Sequence, residues 1–227
     1  MSGLWLSRAR LCRDASVTAL ARLLVPEDAG ERAAASHRLV WALFADGPER
    51  RRDFLWREEA PGRFLILSAR PPEDIHRLFK LEMKPFAPAL ALGDRLGFAL
   101  RANPVVARPV APGQRGRRHD VVMDALRDVP PGERAAARPE AVLGAGRAWL
   151  ARQGLVHGFR LEGEVAVDGY ETVSIPRGEG PPARFGVLDF AGVLTVQDPP
   201  RFLAALTVGF GRARAFGCGL MLIRRAQ

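Results

Sequence analysis

The feature that most constrains the fold is the order of strand-like and helix-like apolar patterns along the chain. Apolar residues alternate near the N-terminus, recur at helical spacing over residues 31–45, and then form strand-like runs at residues 54–57 and 64–67. A short helix beginning at Pro72 and a strand at Arg95–Ala102 complete the series. The resulting order, β-α-β-β-α-β, is that of a ferredoxin-like unit.

The second half of the chain repeats this order. Residues 139–153 have helical spacing, two strand-like segments follow, and Asp198-Pro199-Pro200 is a typical helix start before the last apolar run. We therefore predict an α+β protein of two tandem ferredoxin-like, RRM-like domains. The expected domains are residues 1–104 and 119–227, joined by a proline- and arginine-rich basic linker at residues 105–118.

The charge balance favours a polyanionic partner. The 227 residues carry 34 lysines and arginines against 25 acidic residues, a formal net charge of +9, and only Lys80 and Lys84 are lysines. Arginine binds phosphate in a bidentate manner, so this surplus favours a phosphate-bearing partner. Cys12 and Cys218 lie too far apart in sequence for a metal or redox motif.

Neither end of the chain nor any internal segment predicts a membrane partner. The N-terminal segment is too short and too charged for the hydrophobic region of a signal peptide. No apolar run approaches the length needed to cross a bilayer. We expect a cytoplasmic protein without a membrane partner.

A glycine-rich segment near the C-terminus is the strongest candidate for phosphate binding. Residues 209–219, here called the glycine loop, read Gly-Phe-Gly-Arg-Ala-Arg-Ala-Phe-Gly-Cys-Gly and place Arg212 and Arg214 between four glycines. A P-loop or a dinucleotide fingerprint needs a helix directly after it and further βαβ chain, and neither follows here. A polyanion other than a mononucleotide is the better interpretation, although glycines that serve only for turning stay an alternative.

His37 is the histidine best placed for chemistry. It lies beside the apolar stripe of the helix at residues 31–45, whereas the other three histidines, His76, His119 and His157, are isolated. A histidine in such a place either packs in the core or transfers a proton near neutral pH. No metal-binding or nucleophile motif accompanies it, so we expect neither a metal nor a cofactor.

Four stretches resemble the CasE family of CRISPR repeat endoribonucleases, which belong to type I-E Cascade complexes. They are Ser36-His37-Arg38-Leu39 with Trp41-Ala42-Leu43-Phe44, then Leu100-Arg101-Ala102-Asn103-Pro104, then Phe190-Ala191-Gly192-Val193-Leu194-Thr195-Val196 with Asp198-Pro199, and finally residues 209–220. The resemblance implies metal-independent cleavage of repeat RNA at the base of its hairpin, leaving a 2′,3′-cyclic phosphate and a 5′-hydroxyl. It also implies that the protein stays on the crRNA product, with other Cascade subunits as partners.

The resemblance also implies roles for individual residues. His37 would be the catalytic base or acid. Arg214, which stands where lysine is usual, or Arg212, which stands where proline is common, would hold the scissile phosphate and offset its developing charge. The turn from Pro176 to Arg184 matches a hairpin that relatives insert into the RNA groove. The remaining expected RNA contacts are Arg38, Arg101, Arg108, Arg115, Arg117, Arg118, Arg177, Arg184, Gly209, Gly211, Arg212, Gly217 and Gly219.

One departure from the family keeps a second interpretation open. Relatives often carry tyrosine three residues before the catalytic histidine, but this chain has Ala34 there, and its one tyrosine is Tyr170. The rival function is a non-cleaving RNA-binding subunit of the same fold. A third, DNA binding, predicts no requirement for a 2′-hydroxyl.

Overall fold

A computed structural model describes residues 3–12, 21–45, 47, 51–109, 114, 116–176 and 180–226. The strands are β1 (Leu4–Leu11), β2 (Phe54–Ala60), β3 (Arg63–Ser68), β4 (Phe79–Phe86), β5 (Arg95–Ala102), β6 (Val105–Arg108), β7 (Arg117–Asp120), β8 (Phe159–Ile175), β9 (Ala183–Val196) and β10 (Met221–Arg225). The α-helices are α1 (Ala21–Leu24), α2 (Ala29–Ala42), α3 (Val121–Ala125), α4 (Arg134–His157) and α5 (Pro199–Val208). The prediction of an α+β chain built from antiparallel sheets is confirmed.

The first sheet has the strand order β2-β3-β1-β4, and helix α2 covers one of its faces. The helix begins where the Asp28 carboxylate accepts hydrogen bonds from the backbone N–H groups of Gly30 and Glu31. Leu39 and Val40 of α2, and Leu43 directly after it, are buried in the core cluster on that face. This packing fixes the side of the helix on which His37 lies.

The short helix expected from Pro72 to Phe79 is absent, so this prediction is wrong. Residues 69–78, all of them described, form bends and turns. The Asp74 carboxylate accepts hydrogen bonds from the backbone N–H groups of Leu78 and Phe79, at 3.1 and 2.6 Å. A side chain that satisfies turn amides in this way favours a turn over a helix.

Strand β5 corrects the expected division of the chain. We expected residues 95–102 to close the first unit, but β5 is an inner strand of the second sheet, whose order is β10-β5-β9-β8. Strands β5, β8, β9 and β10 with helices α4 and α5 therefore complete one β-α-β-β-α-β unit. We propose that the chain divides within residues 87–94 rather than after residue 104.

Both ends of the segment expected to be a linker form β-strands. Strands β6 and β7 pair with each other as an antiparallel ribbon, with Val105 opposite Asp120 and Arg108 opposite Arg117. This ribbon follows β5 and precedes α3, so it is an insertion after the first strand of the unit rather than a connection between two units. We expected a basic proline- and arginine-rich linker at residues 105–118, and we propose instead that the β6–β7 ribbon belongs to the second unit.

Apolar and backbone contacts join the two units. Leu55 and Leu67 of the first sheet are buried in one cluster with Leu220. The long hairpin of β8 and β9 reaches helix α2, where a Cβ on Gly30 would lie only 2.0 Å from the carbonyl oxygen of Ser174. Helix α2 is thus held between its own sheet and the second unit.

Within the described residues, no helix combines the length and apolar character needed to cross a membrane.

Candidate active site

The backbone of the glycine loop is shaped by close contacts that leave no room for side chains. Gly211 has φ +73°, and a Cβ there would lie 2.7 Å from the carbonyl oxygen of Asn103. Gly219 has φ +94°, and a Cβ there would lie 2.7 Å from the carbonyl oxygen of Phe210. Glycine is required at both positions, both because of the left-handed backbone and because of the contact.

The end of β5 holds the glycine loop in place. The backbone N–H of Arg212 donates to the carbonyl oxygen of Asn103 at 3.0 Å, and that of Gly219 donates to the carbonyl oxygen of Arg101 at 2.7 Å. The buried Asn103 side chain donates from Nδ2 to the carbonyl oxygen of Gly186 in β9 at 2.7 Å. Two stretches singled out separately in the sequence, residues 100–104 and 209–220, are therefore in direct contact.

The glycine loop also reaches across to the first unit. Trp56 Nε1 of β2 donates a hydrogen bond to the carbonyl oxygen of Ala215 at 3.2 Å. The Phe216 ring stacks on Phe185 of β9, with 5.8 Å between centroids, and lies 5.5 Å from the His37 ring. These contacts bring the arginines of the second unit to the histidine of the first.

The two units enclose a cleft of about 580 Å³, here called the His37 cleft. His37, Trp41 and Arg52 line it from the first unit. The second unit contributes six consecutive residues of the glycine loop: Gly211, Arg212, Ala213, Arg214, Ala215 and Phe216. The sequence placed His37 and Arg214 in one site, and both line this cleft.

His37 is half-buried and is biased toward its neutral form. Burial lowers the pKa of His37 below its ordinary value of 6.5, and the positive charges of Arg52 and Arg38 lower it further, while the carbonyl oxygen of Ala215 opposes the shift. His37 Nδ1 is buried and makes no well-directed hydrogen bond to the described residues. A neutral imidazole at pH 7 is able to accept a proton.

Among the described residues, no carboxylate compensates the positive charge of the arginines that line the cleft. Within the described ranges, neither Arg52, Arg212 nor Arg214 forms an ion pair. Arg214 donates from Nε to the carbonyl oxygen of Gly211 at 3.1 Å, which orients its guanidinium group. Burial and the charge of Arg212 lower the pKa of Arg214, and burial and the charge of Arg214 lower that of Arg52. Such a site favours an anion.

Arg52 was missed in the sequence. It lies in a run of arginines just before β2, which by itself is typical of a solvated surface. Phe54 packs on Trp41 of α2, with 5.4 Å between ring centroids, and this contact places residue 52 near the same turn of α2 as His37. The aromatic residues Trp41 in α2 and Phe54 at the start of β2 were the signal in the sequence that could have placed Arg52 near His37.

Two expected RNA-binding arginines are held by carboxylates of the second unit. Arg101 pairs with Asp189 at 2.5 Å and also with Glu171. Arg108 donates to Asp124, with 2.7 Å between Nη2 and Oδ2. An RNA phosphate would have to compete with these carboxylates.

The other expected RNA contacts are spread over the surface of the chain. Arg38 is exposed on α2, and Arg117, Arg118 and Arg184 are exposed on β7 and at the start of β9. Arg115 and Arg177 lie outside the described residues. Gly209, Gly211, Gly217 and Gly219 all have positive φ and shape the backbone of the glycine loop.

Neither Ala34 nor Tyr170 lines the His37 cleft. Ala34 packs on the cluster of Val173, Ile175 and Cys218 at the end of the β8–β9 hairpin. Tyr170 donates a hydrogen bond to Asp120 at 3.1 Å. Burial and the Asp120 carboxylate raise the pKa of Tyr170 to about 12. The described part of the chain therefore presents no tyrosine in the cleft, and it contains no cluster of His, Cys, Asp and Glu suited to a metal ion.

Comparisons with known proteins agree with this fold. A sequence model of the family described as "CRISPR associated protein" matches residues 4–225. The chain is 28% identical over 190 residues to the CRISPR system Cascade subunit CasE of Escherichia coli, and the match covers 82% of this chain and 88% of that protein. It is 37% identical over 150 residues to the CRISPR-associated endoribonuclease Cse3 of Thermus thermophilus, with 62% of this chain and 60% of that protein covered.

A solved structure is similar over nearly the whole chain. It is that of Thermus thermophilus Cse3 bound to an RNA representing a pre-cleavage complex, with a TM-score of 0.68 and 28% identity. The similarity covers 98% of this chain and 99% of that one. It therefore includes both units.

We predict that Gly211→Ala lowers stability by more than about 1 kcal/mol, because the methyl group forces a left-handed alanine against the Asn103 carbonyl. The matched control is Gly144→Ala in helix α4, where a Cβ would meet no atom within 4 Å. Alanine there should raise stability by about 0.5–1 kcal/mol. Urea unfolding measures both changes, and a Gly211→Ala protein as stable as wild type would contradict this description of the loop.

Proposed function

The chain belongs to the CRISPR associated protein family, and from that premise we propose that it is an endoribonuclease that cleaves CRISPR repeat RNA and binds the crRNA product. The observation that carries the proposal is the His37 cleft, where a histidine biased toward its neutral form lies beside arginines without carboxylate partners among the described residues. A base and an anion site are what cleavage by a 2′-hydroxyl requires. The relatives named above as endoribonucleases support the same reaction class.

In the proposed reaction the nucleophile belongs to the RNA. His37 accepts the proton of the 2′-hydroxyl, the 2′-oxygen forms a bond to the phosphorus, and the bond from phosphorus to the 5′-oxygen breaks. The leaving oxygen takes a proton from water, and the hydroxide so formed takes the proton held by His37, which restores the neutral imidazole. The products are a 2′,3′-cyclic phosphate and a 5′-hydroxyl. The steps need no metal ion, since Arg214 stabilises the charge that develops on the phosphate.

RNA binding would extend beyond the cleft along both units. The exposed Arg117 and Arg118 of the β6–β7 ribbon and Arg184 at the start of β9 are available for phosphate contacts. We propose that these groups hold the repeat hairpin with its base at the His37 cleft. In this proposal the protein keeps the crRNA and becomes a Cascade subunit, as the name of the Escherichia coli relative suggests.

A non-cleaving RNA-binding subunit is the second candidate. The observation that favours it is the alanine at position 34, since no tyrosine of the described chain lines the cleft to serve as a second proton-transfer group. This candidate requires no ionisable group at position 37. Replacing His37 should therefore abolish RNA cleavage if the protein is an endoribonuclease, and should change no activity if it only binds RNA.

We expect His37→Ala to slow single-turnover cleavage of a repeat hairpin RNA at least about 100-fold, because a general base contributes this much or more. The RNA affinity should stay close to that of wild type, since His37 moves a proton rather than binding phosphate. The matched control is His76→Ala, which removes an exposed histidine from the turn before β4. Undiminished cleavage by His37→Ala would refute the catalytic assignment.

We expect the cleavage rate at limiting enzyme to rise with pH and to level off by about pH 7.5. A base acts in its neutral form, so the rate increases as pH rises through the pKa of His37, which burial, Arg52 and Arg38 hold below 6.5. The residual rate of His37→Ala should lack this inflection. A rate that falls as pH rises through the same range would instead assign His37 as the acid.

A further inference from the structure

We propose that Arg52 is a second catalytic residue, which contacts the non-bridging oxygens of the scissile phosphate from the first unit, as Arg214 does from the second. This inference rests on the proposed function and adds to it a residue outside the four family-like stretches. Arg52 would donate hydrogen bonds to the phosphate and would stay protonated throughout the reaction.

The position of Arg52 is the first argument. Arg52 and Arg214 come from different units, from the segment before β2 and from the glycine loop, yet both line the His37 cleft together with His37 itself. Their charges are close enough for Arg214 to lower the pKa of Arg52. Two guanidinium groups that line one cleft can both donate hydrogen bonds to a single anion bound there.

The lack of compensating charge is the second argument. Among the described residues, other partly buried arginines have carboxylate partners or, as Arg134 and Arg147 do, donate to backbone carbonyl oxygens. Arg101 pairs with Asp189, and Arg70 pairs with Asp53 at 2.8 Å. Arg52 is half-buried without an ion pair to any described residue, and no Asp or Glu of the described chain lines the cleft. Holding two unpaired cations together is costly for the free protein, and a bound phosphate removes that cost.

The chemistry of the reaction is the third argument. When the 2′-oxygen attacks, the phosphate passes through a species that carries more negative charge than the starting diester. Donors that are already oriented toward this charge accelerate the reaction, and the loss of one such donor typically costs about 10²–10³ in rate. Arg214 is oriented by Gly211, and Arg52 supplies the matching donor from the first unit.

The test compares Arg52→Ala with Arg51→Ala, which removes the same charge from the exposed neighbouring residue. Single-turnover cleavage is measured on repeat hairpin RNA, and affinity is measured on the same RNA with a 2′-deoxy sugar at the cut site. We expect Arg52→Ala to lose about 10²–10³ in rate, with a smaller loss in affinity. Arg51→Ala should keep the wild-type rate.

A sulfur substitution tests for direct contact. Replacing one non-bridging oxygen of the scissile phosphate by sulfur weakens the hydrogen bonds that arginine donates to it. In the wild-type protein one of the two phosphorothioate isomers should be cut more slowly than the oxygen substrate. This penalty should shrink in Arg52→Ala, and it should stay unchanged if Arg52 acts only through the fold.

Each outcome decides between the two proposals. Wild-type cutting with equal rates for Arg52→Ala and Arg51→Ala would overturn the role of Arg52 and leave the proposed function intact. No cutting by the wild-type protein would overturn both. If Arg52→Ala fails to fold, Arg52→Lys and Arg52→Gln take its place, and a wild-type rate in the Gln variant would overturn the inference.

Discussion

The arrangement of the site depends on how the glycine loop is held against the end of β5. Backbone hydrogen bonds to Asn103 and Arg101 hold Arg212 and Gly219, and the contact at Gly211 admits no side chain. With the loop held there, Trp56 binds the Ala215 carbonyl and Phe216 lies between Phe185 and His37. The site is therefore assembled by contacts between the units, and it exists only when both are folded.

The His37 cleft differs from other parts of this basic protein in that its arginines have no carboxylate partners among the described residues. Arg101 and Arg108 form ion pairs with nearby carboxylates, and these pairs offset the charge of the two arginines in the folded protein. Arg52 and Arg214 line one cleft without such partners among the described residues, and burial lowers the pKa of each. The same two charges lower the stability of the free protein and favour a bound phosphate. Arg52 also helps to keep His37 neutral, because its charge opposes protonation of the imidazole.

Most local strands and helices were predicted from the sequence, but the strands and side chains that they contact were not. The strand at Arg95–Ala102 was found, but alternation of apolar residues does not reveal which sheet a strand joins, since strand pairing depends on distant residues. The same limit applies to Arg101, whose partner Asp189 lies 88 residues away. The pairing of His37 with Arg214 in one site came from the family resemblance, and Arg52 escaped notice because a run of arginines usually lies on the surface.

The most direct test of the central claim uses two RNAs that differ by one oxygen atom. A repeat hairpin RNA is incubated with the protein in EDTA, beside the same RNA carrying a 2′-deoxy sugar at the cut site. The account predicts cutting of the first, with a 2′,3′-cyclic phosphate on its product, and no cutting of the second although it is bound equally well. Cutting of both RNAs, or of neither, would contradict attack by the 2′-hydroxyl.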